Sequence, residues 1–280
     1  MQTKIIPYTF NRCGYYYFSR RVPADLTGYY TYPRIVQGLR TRSPSQAKTR
    51  ALIPALYLLL VCMRKGIGML EIYGRSDSSN VQAVMWCVAE LGLEHIRYDV
   101  GHRFGGTNTK SFIDMNPNQT VPVLRDKDGL ILWESGAILR YLANQYGDER
   151  FWPQAPNLRA NVDKWAEWSK VSVVLNFTIP IFWEIVRTPK EQQNSHLIDI
   201  AIKALEVKLS IADHQLAKYK YLAGDDFTLA DIQLGHMLYR YFDIDIERKK
   251  FPHLSLYYNR LCERPMYSKH VMVSYEALRA

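Results

Sequence analysis

The stretch GRSDSSNVQAV, residues 74–84, sets Ser78, Ser79 and Asn80 between a strand and the start of a helix. A helix N-terminus presents unpaired backbone N–H groups and the positive end of the dipole, so a hydroxyl there occupies a good position for an anion. A bound thiol gains in particular. Its pKa of about 8.5 falls toward the thiolate, the nucleophilic form, beside hydroxyl donors and a helix N-terminus. The plainer reading is that Ser78 or Ser79 only caps the helix, since Ser, Asp and Asn lead at that position. In NQTVPVL, the residue before Pro122 is held extended. A cis Val121-Pro122 bond would turn the Val121 backbone outward, as an edge that a peptide pairs with like an added strand. A trans proline at a strand start is the alternative. In LWESGAI, Glu134 and Ser135 begin a helix, where they either accept an ammonium and donate to a carboxylate or act only as caps. In this order and spacing the three stretches form a far more specific combination than any one of them.

The surrounding pattern supplies elements to hold them. LEIY reads as a short strand, and NVQAVMWCVAELGL as a helix with Val81, Val84, Met85 and Val88 at helical spacing and a stop at Gly92. HIRYDV is a second strand, followed by the glycine-rich loop GHRFGGTNT and a short helix through SFIDMN. VPVLRDKDGLILW is two strands joined at Asp128-Gly129, a strong hairpin signal, and ESGAILRYLANQYG is a helix ending at Gly147. The order is βαβ, then αββα. After Phe151 no convincing strand is present. AIKALEVKLSIADHQLAKY puts Ile202, Leu205, Leu209, Ala212 and Leu216 on one helical face. DDFTLADIQLGHML offers a capping box from Thr228 to Asp231 before a helix that is apolar on most sides and belongs at the centre of an all-helical domain.

Charge is spread unevenly along the 280 residues. The net charge is +9: residues 1–68 hold 11 Lys/Arg and one Asp, hence +10, and residues 69–280 hold 25 basic and 26 acidic residues, hence −1. The imbalance lives in the first quarter alone. There, Tyr8 to Phe10, Tyr15 to Arg20 and RIVQGL read as three strands, with a turn at Asn11 to Gly14; a helix follows from SPSQAKTRAL, capped by Ser43 or Ser45. This small βββα unit ends near residues 66–68. With 48% apolar residues the chain can build real cores and is globular. Cys13, Cys62, Cys87 and Cys262 form no CxxC or Cys/His cluster, which argues against a zinc site or a disulfide framework and suits a reducing compartment. The apolar run of residues 51–63 is shorter than the roughly 20 residues of a membrane span and contains Pro54. It also lies too far from the N-terminus for a signal peptide, so cytoplasm is the expected location, with no metal and no membrane partner.

Residues 69–280 resemble the glutathione transferase family, in a bacterial branch whose motif resembles GRxxSxNV, met here by Gly74, Arg75, Ser78, Asn80 and Val81. The resemblance implies an α/β plus all-α chain: a thioredoxin-like domain over residues 69–149 and an all-helical domain over residues 150–280, preceded by the extension of residues 1–68. It implies glutathione as cosubstrate, a homodimer, and attack of glutathione thiolate on a small hydrophobic electrophile. Site residues follow from the same resemblance. Ser78 would stabilise the thiolate with Asn80 as a second donor, and Val121, ahead of a cis Pro122, would pair with the cysteinyl unit. Glu134 and Ser135 would hold the γ-glutamyl end, with Gln119 near the glycyl end. Trp168, Phe182, Trp183, Arg187 and Tyr239 are candidates for the electrophile pocket, with core packing as the alternative for each aromatic. Arg187 stands out, because a base flanked by apolar residues needs a partner or an anion. Thr228 and Asp231 are structural caps, and Cys87, at an apolar helical position, is not expected to act as a nucleophile. The Ser-x-Asn arrangement also resembles the Thr-x-Asn of nu-class enzymes, which keeps glutathione-dependent disulfide or peroxide reduction as a rival chemistry.

The extension, CGYYYFSRRVPADL and onward to RTRSPSQAKTRA, resembles the arm-binding-type N-terminal module of phage-type tyrosine recombinases. That resemblance implies a phosphate-binding face made by Arg12, Arg20, Arg21, Arg34, Arg40 and Arg42, with salt-sensitive, sequence-independent affinity for DNA. A fused relic with solvated charges is the alternative. A DNA-binding fusion protein that uses the transferase domain as a scaffold is the remaining function class.

Overall fold

The computed structural model describes residues 9–12, 15–21, 34–41, 43, 45–47, 50–51 and 69–280. The chain divides into two compact units, Met1–Glu71 with Asp126–Leu130, and Ile72–Arg125 with Ile131–Ala280. The second unit therefore joins the βαβ-αββα block and the helices that follow it.

In the first unit β1 (Thr9–Arg12), β2 (Tyr15–Arg21) and β3 (Arg34–Gly38) form an antiparallel sheet in chain order. β1 runs on through Arg12, which pairs with Tyr15; Cys13 and Gly14 of the expected turn lie outside the described residues. Arg20 pairs with Ile35 and Arg21 with Arg34. Of the two candidate caps for the helical residues 45–47, Ser43 takes the position: its carbonyl accepts from the Ala47 amide at 2.9 Å and its hydroxyl from the Gln46 amide at 3.5 Å. Arg12 and Arg40 are exposed. Arg42, Cys13, Cys62, the apolar run from residue 52 onward and the boundary at residues 66–68 lie outside the described residues.

A four-stranded mixed sheet follows, built from β4 (Leu70–Tyr73), β5 (His95–Tyr98), β6 (Val123–Arg125) and β7 (Ile131–Trp133) in the order β5-β4-β6-β7. Its helices are α1 (Ser79–Glu90), α2 (Lys110–Ile113) and α3 (Ser135–Tyr146). The thioredoxin-like βαβ-αββα order thus stands as read. Beyond it come α4 (Pro156–Val186), α5 (Ser195–Leu216), α6 (Leu229–Asp243), α7 (Pro252–Cys262) and α8 (Pro265–His270). Among the described residues no strand follows β7.

Every residue of α1 from Val81 to Val88 is buried, not only the stripe that helical spacing marked out. The reason is that α1 packs against α3, α6 and α8 at once. Gly235 makes the α6 approach close: a Cβ there would come within 2.7 Å of Leu261 and 2.9 Å of the Trp86 ring. The capping box of α6 is present, with the Asp231 carboxylate accepting from the Thr228 amide at 2.8 Å and from the Leu222 amide and Tyr257 hydroxyl besides. α6 is buried almost throughout, as its composition demanded.

Helix α4 is long and apolar enough to cross a membrane, yet its buried side chains pack against α6 and α5. It widens into π-type turns over Ser169–Val174 and Thr178–Trp183. Pro180 supplies no N–H to the second of these, and the Asn176 amide bonds to the carbonyls of Val171 and Ser172. Lys170 lies in the first widened turn and Trp183 in the second.

Candidate active site

Gly74 ends β4 with a φ of 153°, and a Cβ there would meet Val81 at 2.5 Å and Val121 at 3.2 Å. Only glycine lets this turn, the start of α1 and the Val121 segment close on one another. Ser78 then occupies the N-cap of α1, its amide donating to the Arg75 carbonyl at 3.2 Å and its carbonyl accepting from Gln82 at 2.8 Å. Its hydroxyl makes no capping bond. Of the two serines that could cap the helix, Ser79 is the first helical residue. Ser78 is buried, 9% exposed, at the end of α1 where the first helix N–H groups have no intrahelical acceptor. The turn is pinned from two sides, by Gln82 Nε2 donating to the Ser76 carbonyl at 3.1 Å and by Arg240 Nη2 of α6 donating to the Asp77 carbonyl at 2.7 Å.

The Val121-Pro122 bond is cis. Among the described residues neither the amide nor the carbonyl of Val121 carries a backbone hydrogen bond, so this short edge is open to a strand-like partner. Asn80, Thr120, Val121, Pro122, Glu134 and Ser135 line a cleft of about 180 Å³. The three motifs separated in sequence thus meet in one place. Gln119 is exposed and is not among the lining residues; its neighbour Thr120 is. Ser135 is buried at the first position of α3, and Glu134 is the exposed residue before it, at a φ of 69°.

A lysine outside the lining residues bonds to two of them. Lys170 Nζ donates to Asn80 Oδ1 at 2.8 Å and to Ser135 Oγ at 3.0 Å, and Ser135 Oγ lies 3.3 Å from the same Asn80 oxygen. The Asn80 oxygen is committed to these two groups, which leaves Nδ2 as its donor. Burial pushes the Lys170 ammonium below its ordinary pKa, against the opposing pull of Glu134 and Glu167. Near Lys170, buried His236 bonds through Nδ1 to the Ile232 carbonyl at 3.2 Å, while Nε2 has no partner among the described residues. Burial and then Lys170 push this imidazole down to about 3, so it stays neutral.

On the other side of the turn lie arginines. Asp77, 2% exposed, receives Arg75 at 2.7 Å on one carboxylate oxygen and Arg103 at 2.5 Å on the other. Burial raises its pKa, but these two guanidiniums more than offset that and hold it below the usual carboxylate value. Arg240 is 3% exposed, and burial pushes it down to about 10.

The predicted electrophile residues separate into groups. Trp183 and Arg187 meet, the guanidinium 4.7 Å above the indole. Phe182 is wholly buried against Phe177, Tyr275 and Arg240 and is core. Tyr239 packs edge-on against Tyr275 at 6.3 Å, and Trp168 edge-on against Trp165 at 5.2 Å. Cys87 is fully buried and its thiol pushed up, as a non-nucleophilic core position should be.

Lys170, Asp77, Arg103 and Arg240 were not singled out from the sequence. A signal existed for two of them: the rule that marked Arg187, a base among apolar neighbours, applies equally to Lys170 in WSKVSVV and to Arg240 in HMLYRYF.

Residues 77–145 match the N-terminal domain of glutathione S-transferases and residues 174–265 the C-terminal domain, while residues 8–56 match a domain of unknown function. The chain is 38% identical over 206 residues to glutathione S-transferase GstB of Escherichia coli, across 73% of this chain and 99% of that protein. It is 30% identical over 213 residues to glutathione S-transferase F13 of Arabidopsis thaliana, across 71% and 94% of the two chains. Among solved structures, the theta class glutathione S-transferase of Xanthomonas axonopodis pv. citri with glutathione bound is similar at a TM-score of 0.70 and 40% identity, over 74% of this chain and 99% of that one.

Proposed function

Because the chain belongs to the glutathione S-transferase family, we propose that the serine turn and the cleft beside it bind glutathione and activate its sulfur for attack on a small electrophile. Glutathione is the cosubstrate. The observation that carries the assignment of residues is the cleft itself, where Asn80, the Val121 edge, Glu134 and Ser135 converge; Ser78, two residues before Asn80 at the N-cap of α1, does not line it and makes no capping bond with its hydroxyl.

In this reading the cysteinyl unit pairs with the Val121 backbone and its sulfur comes to Ser78. The hydroxyl and the N-terminus of α1 favour the thiolate over the thiol. The γ-glutamyl end enters the cleft, its ammonium toward Glu134 and its carboxylate toward Ser135 and Lys170. Lys170 gives that carboxylate a charge-assisted partner, and Asn80 fixes the ammonium in place. Thr120, beside Gln119 in sequence, lines the cleft next to the Val121 edge. The electrophile approaches from the end of α4, over Trp183 and Arg187. Holding both reactants together supplies much of the rate.

The protein acts as a cytoplasmic homodimer in this account. Val171, Leu175 and Ile179, exposed at four-residue steps along α4, form an apolar stripe suited to a second copy. The test is retention on immobilised glutathione and thermal protection by free glutathione, followed by a panel of aryl halides, epoxides, hydroperoxides and mixed disulfides. Turnover confined to hydroperoxides and disulfides would replace conjugation by glutathione-dependent reduction in the same cleft.

The extension is assigned separately, from the arginines that β1 to β3 carry at Arg12, Arg20, Arg21 and Arg34 and from the +10 charge of residues 1–68. It contacts nucleic-acid phosphates without reading sequence. DNA affinity of the full chain that falls steeply with added salt supports this, and affinity indifferent to salt rejects it.

A further inference from the structure

Next to the serine turn the charges do not balance. Arg75, Arg103, Arg187 and Arg240 gather there around a single carboxylate, Asp77. Both oxygens of Asp77 are taken by Arg75 and Arg103, and Arg240 is bonded to the Asp77 carbonyl. Arg187 is close enough to feel the charges of Arg75 and Asp77, yet its guanidinium has no ion pair and no hydrogen bond among the described residues. The loop residue His102 feels Arg75, Arg187 and Arg103, and burial together with these cations keeps it toward the neutral form. Arg187 lies instead on the face of Trp183, which precedes it by one helical turn and is 39% exposed. A half-buried guanidinium stacked on an indole with its donors unpaired is an incomplete ion-binding arrangement: planar donors suit a carboxylate, and the ring beside them suits an apolar body.

We propose that the electrophile this transferase takes is itself an anion, a small aryl or alkyl carboxylate whose carboxylate binds Arg187 and whose carbon skeleton lies against Trp183. The proposal rests on the glutathione reading of the cleft. For a halogenated carboxylate, the glutathione sulfur forms a C–S bond at the halogen-bearing carbon. The C–halogen bond breaks, halide leaves with the bonding pair, and the thiol proton has already passed to solvent. No oxidant or reductant is involved. A small hydrophobic electrophile, as the family resemblance implies, would leave Arg187 unpaired in the bound state.

The test uses a matched pair, 4-chloro-3-nitrobenzoate and 4-chloro-3-nitrobenzamide, with rates divided by those of the uncatalysed reactions at saturating glutathione. The glutathione conjugates of both are also titrated calorimetrically, so that slow chemistry cannot hide a binding preference. The full-length protein is expected to prefer the carboxylate by about tenfold in both readouts, from one charge-assisted pair. Arg187→Gln is expected to bring the ratio near one, and Arg187→Lys to retain part of it. Equal binding of the two conjugates to the wild type, or a preference that survives Arg187→Gln, overturns the proposal. So does an Arg187→Gln variant in which glutathione itself binds about tenfold more weakly, since Arg187 then serves the cosubstrate. If glutathione binds neither the wild type nor the variant, it is the underlying cleft assignment that fails.

Discussion

Helix α6 carries two buried bases one turn apart, and they stand beneath opposite ends of the site. His236 lies near Lys170 and the cleft, and is neutral; Arg240 lies beneath the serine turn, charged and bonded to the Asp77 carbonyl. The surroundings divide in the same way. At the cleft, Lys170, Asn80 and Ser135 bond to one another and form a hydrogen-bonded network. At the turn, guanidiniums outnumber carboxylates, and among the described residues Arg187 has no anionic partner. One apolar helix thus floors two kinds of surface, one specified by hydrogen-bond geometry and the other by an uncompensated charge.

The comparison is broken most severely at the residue between the two ends. Ser78→Ala should lower kcat for aryl-halide conjugation by about 100-fold, the typical loss of one preorganised donor to a developing anion, with KM for glutathione changing far less. A loss confined to KM would give Ser78 to binding alone. Arg240→Met leaves the buried Asp77 carbonyl without its donor and should lower the unfolding free energy by about 2 kcal/mol, read by urea titration. An unchanged midpoint would separate α6 from the turn.

Acid sharpens the cleft side. His236 has its pKa lowered from 6.5 to about 3 in the folded protein, so below pH 6.5 the unfolded chain binds a proton that the native protein refuses. Stability is full above the unfolded value and declines as pH falls toward the folded one; from pH 7 to pH 5 the loss through this group is about 2 kcal/mol. Denaturant midpoints across that range should show the decline, and His236→Asn should flatten it. The smallest expected effect is that of Lys170→Met, which should raise KM for glutathione about tenfold with kcat within a factor of about two. A drop in kcat with KM intact would assign Lys170 to the chemistry.

What was legible in the sequence was what neighbouring residues decide. α1, the Asp128-Gly129 hairpin and the Thr228 capping box follow from spacing and turn chemistry, and the Glu134-Ser135 helix start fell where its motif put it; the VPV motif left the Val121-Pro122 bond open between trans and cis, and the cis form followed only from the family resemblance. Which of the two serines caps α1 was not legible, because cap propensity does not distinguish adjacent serines and the backbone's exit from the extended region does. Lys170 and Arg240 were missed for a different reason. Their partners are Asn80, 90 positions away, and Asp77, 163 positions away, so only packing makes them site residues. Phe182 and Tyr239 share the composition of Trp183, but Phe182 is core and Tyr239 lies against Tyr275, while Trp183 keeps an exposed face beside Arg187. In the extension, the strands could be read from alternating aromatics and bases, but the matching domain of unknown function adds no chemistry to them.

The most direct test of the central claim is the pKa of the glutathione thiol when bound, followed by ultraviolet absorbance of the thiolate in the wild type and in Ser78→Ala. The account predicts a bound pKa well below the roughly 8.5 of a free thiol, returning most of the way toward that value when the hydroxyl is removed. The same pKa in both proteins would contradict it and take thiol activation away from the serine turn.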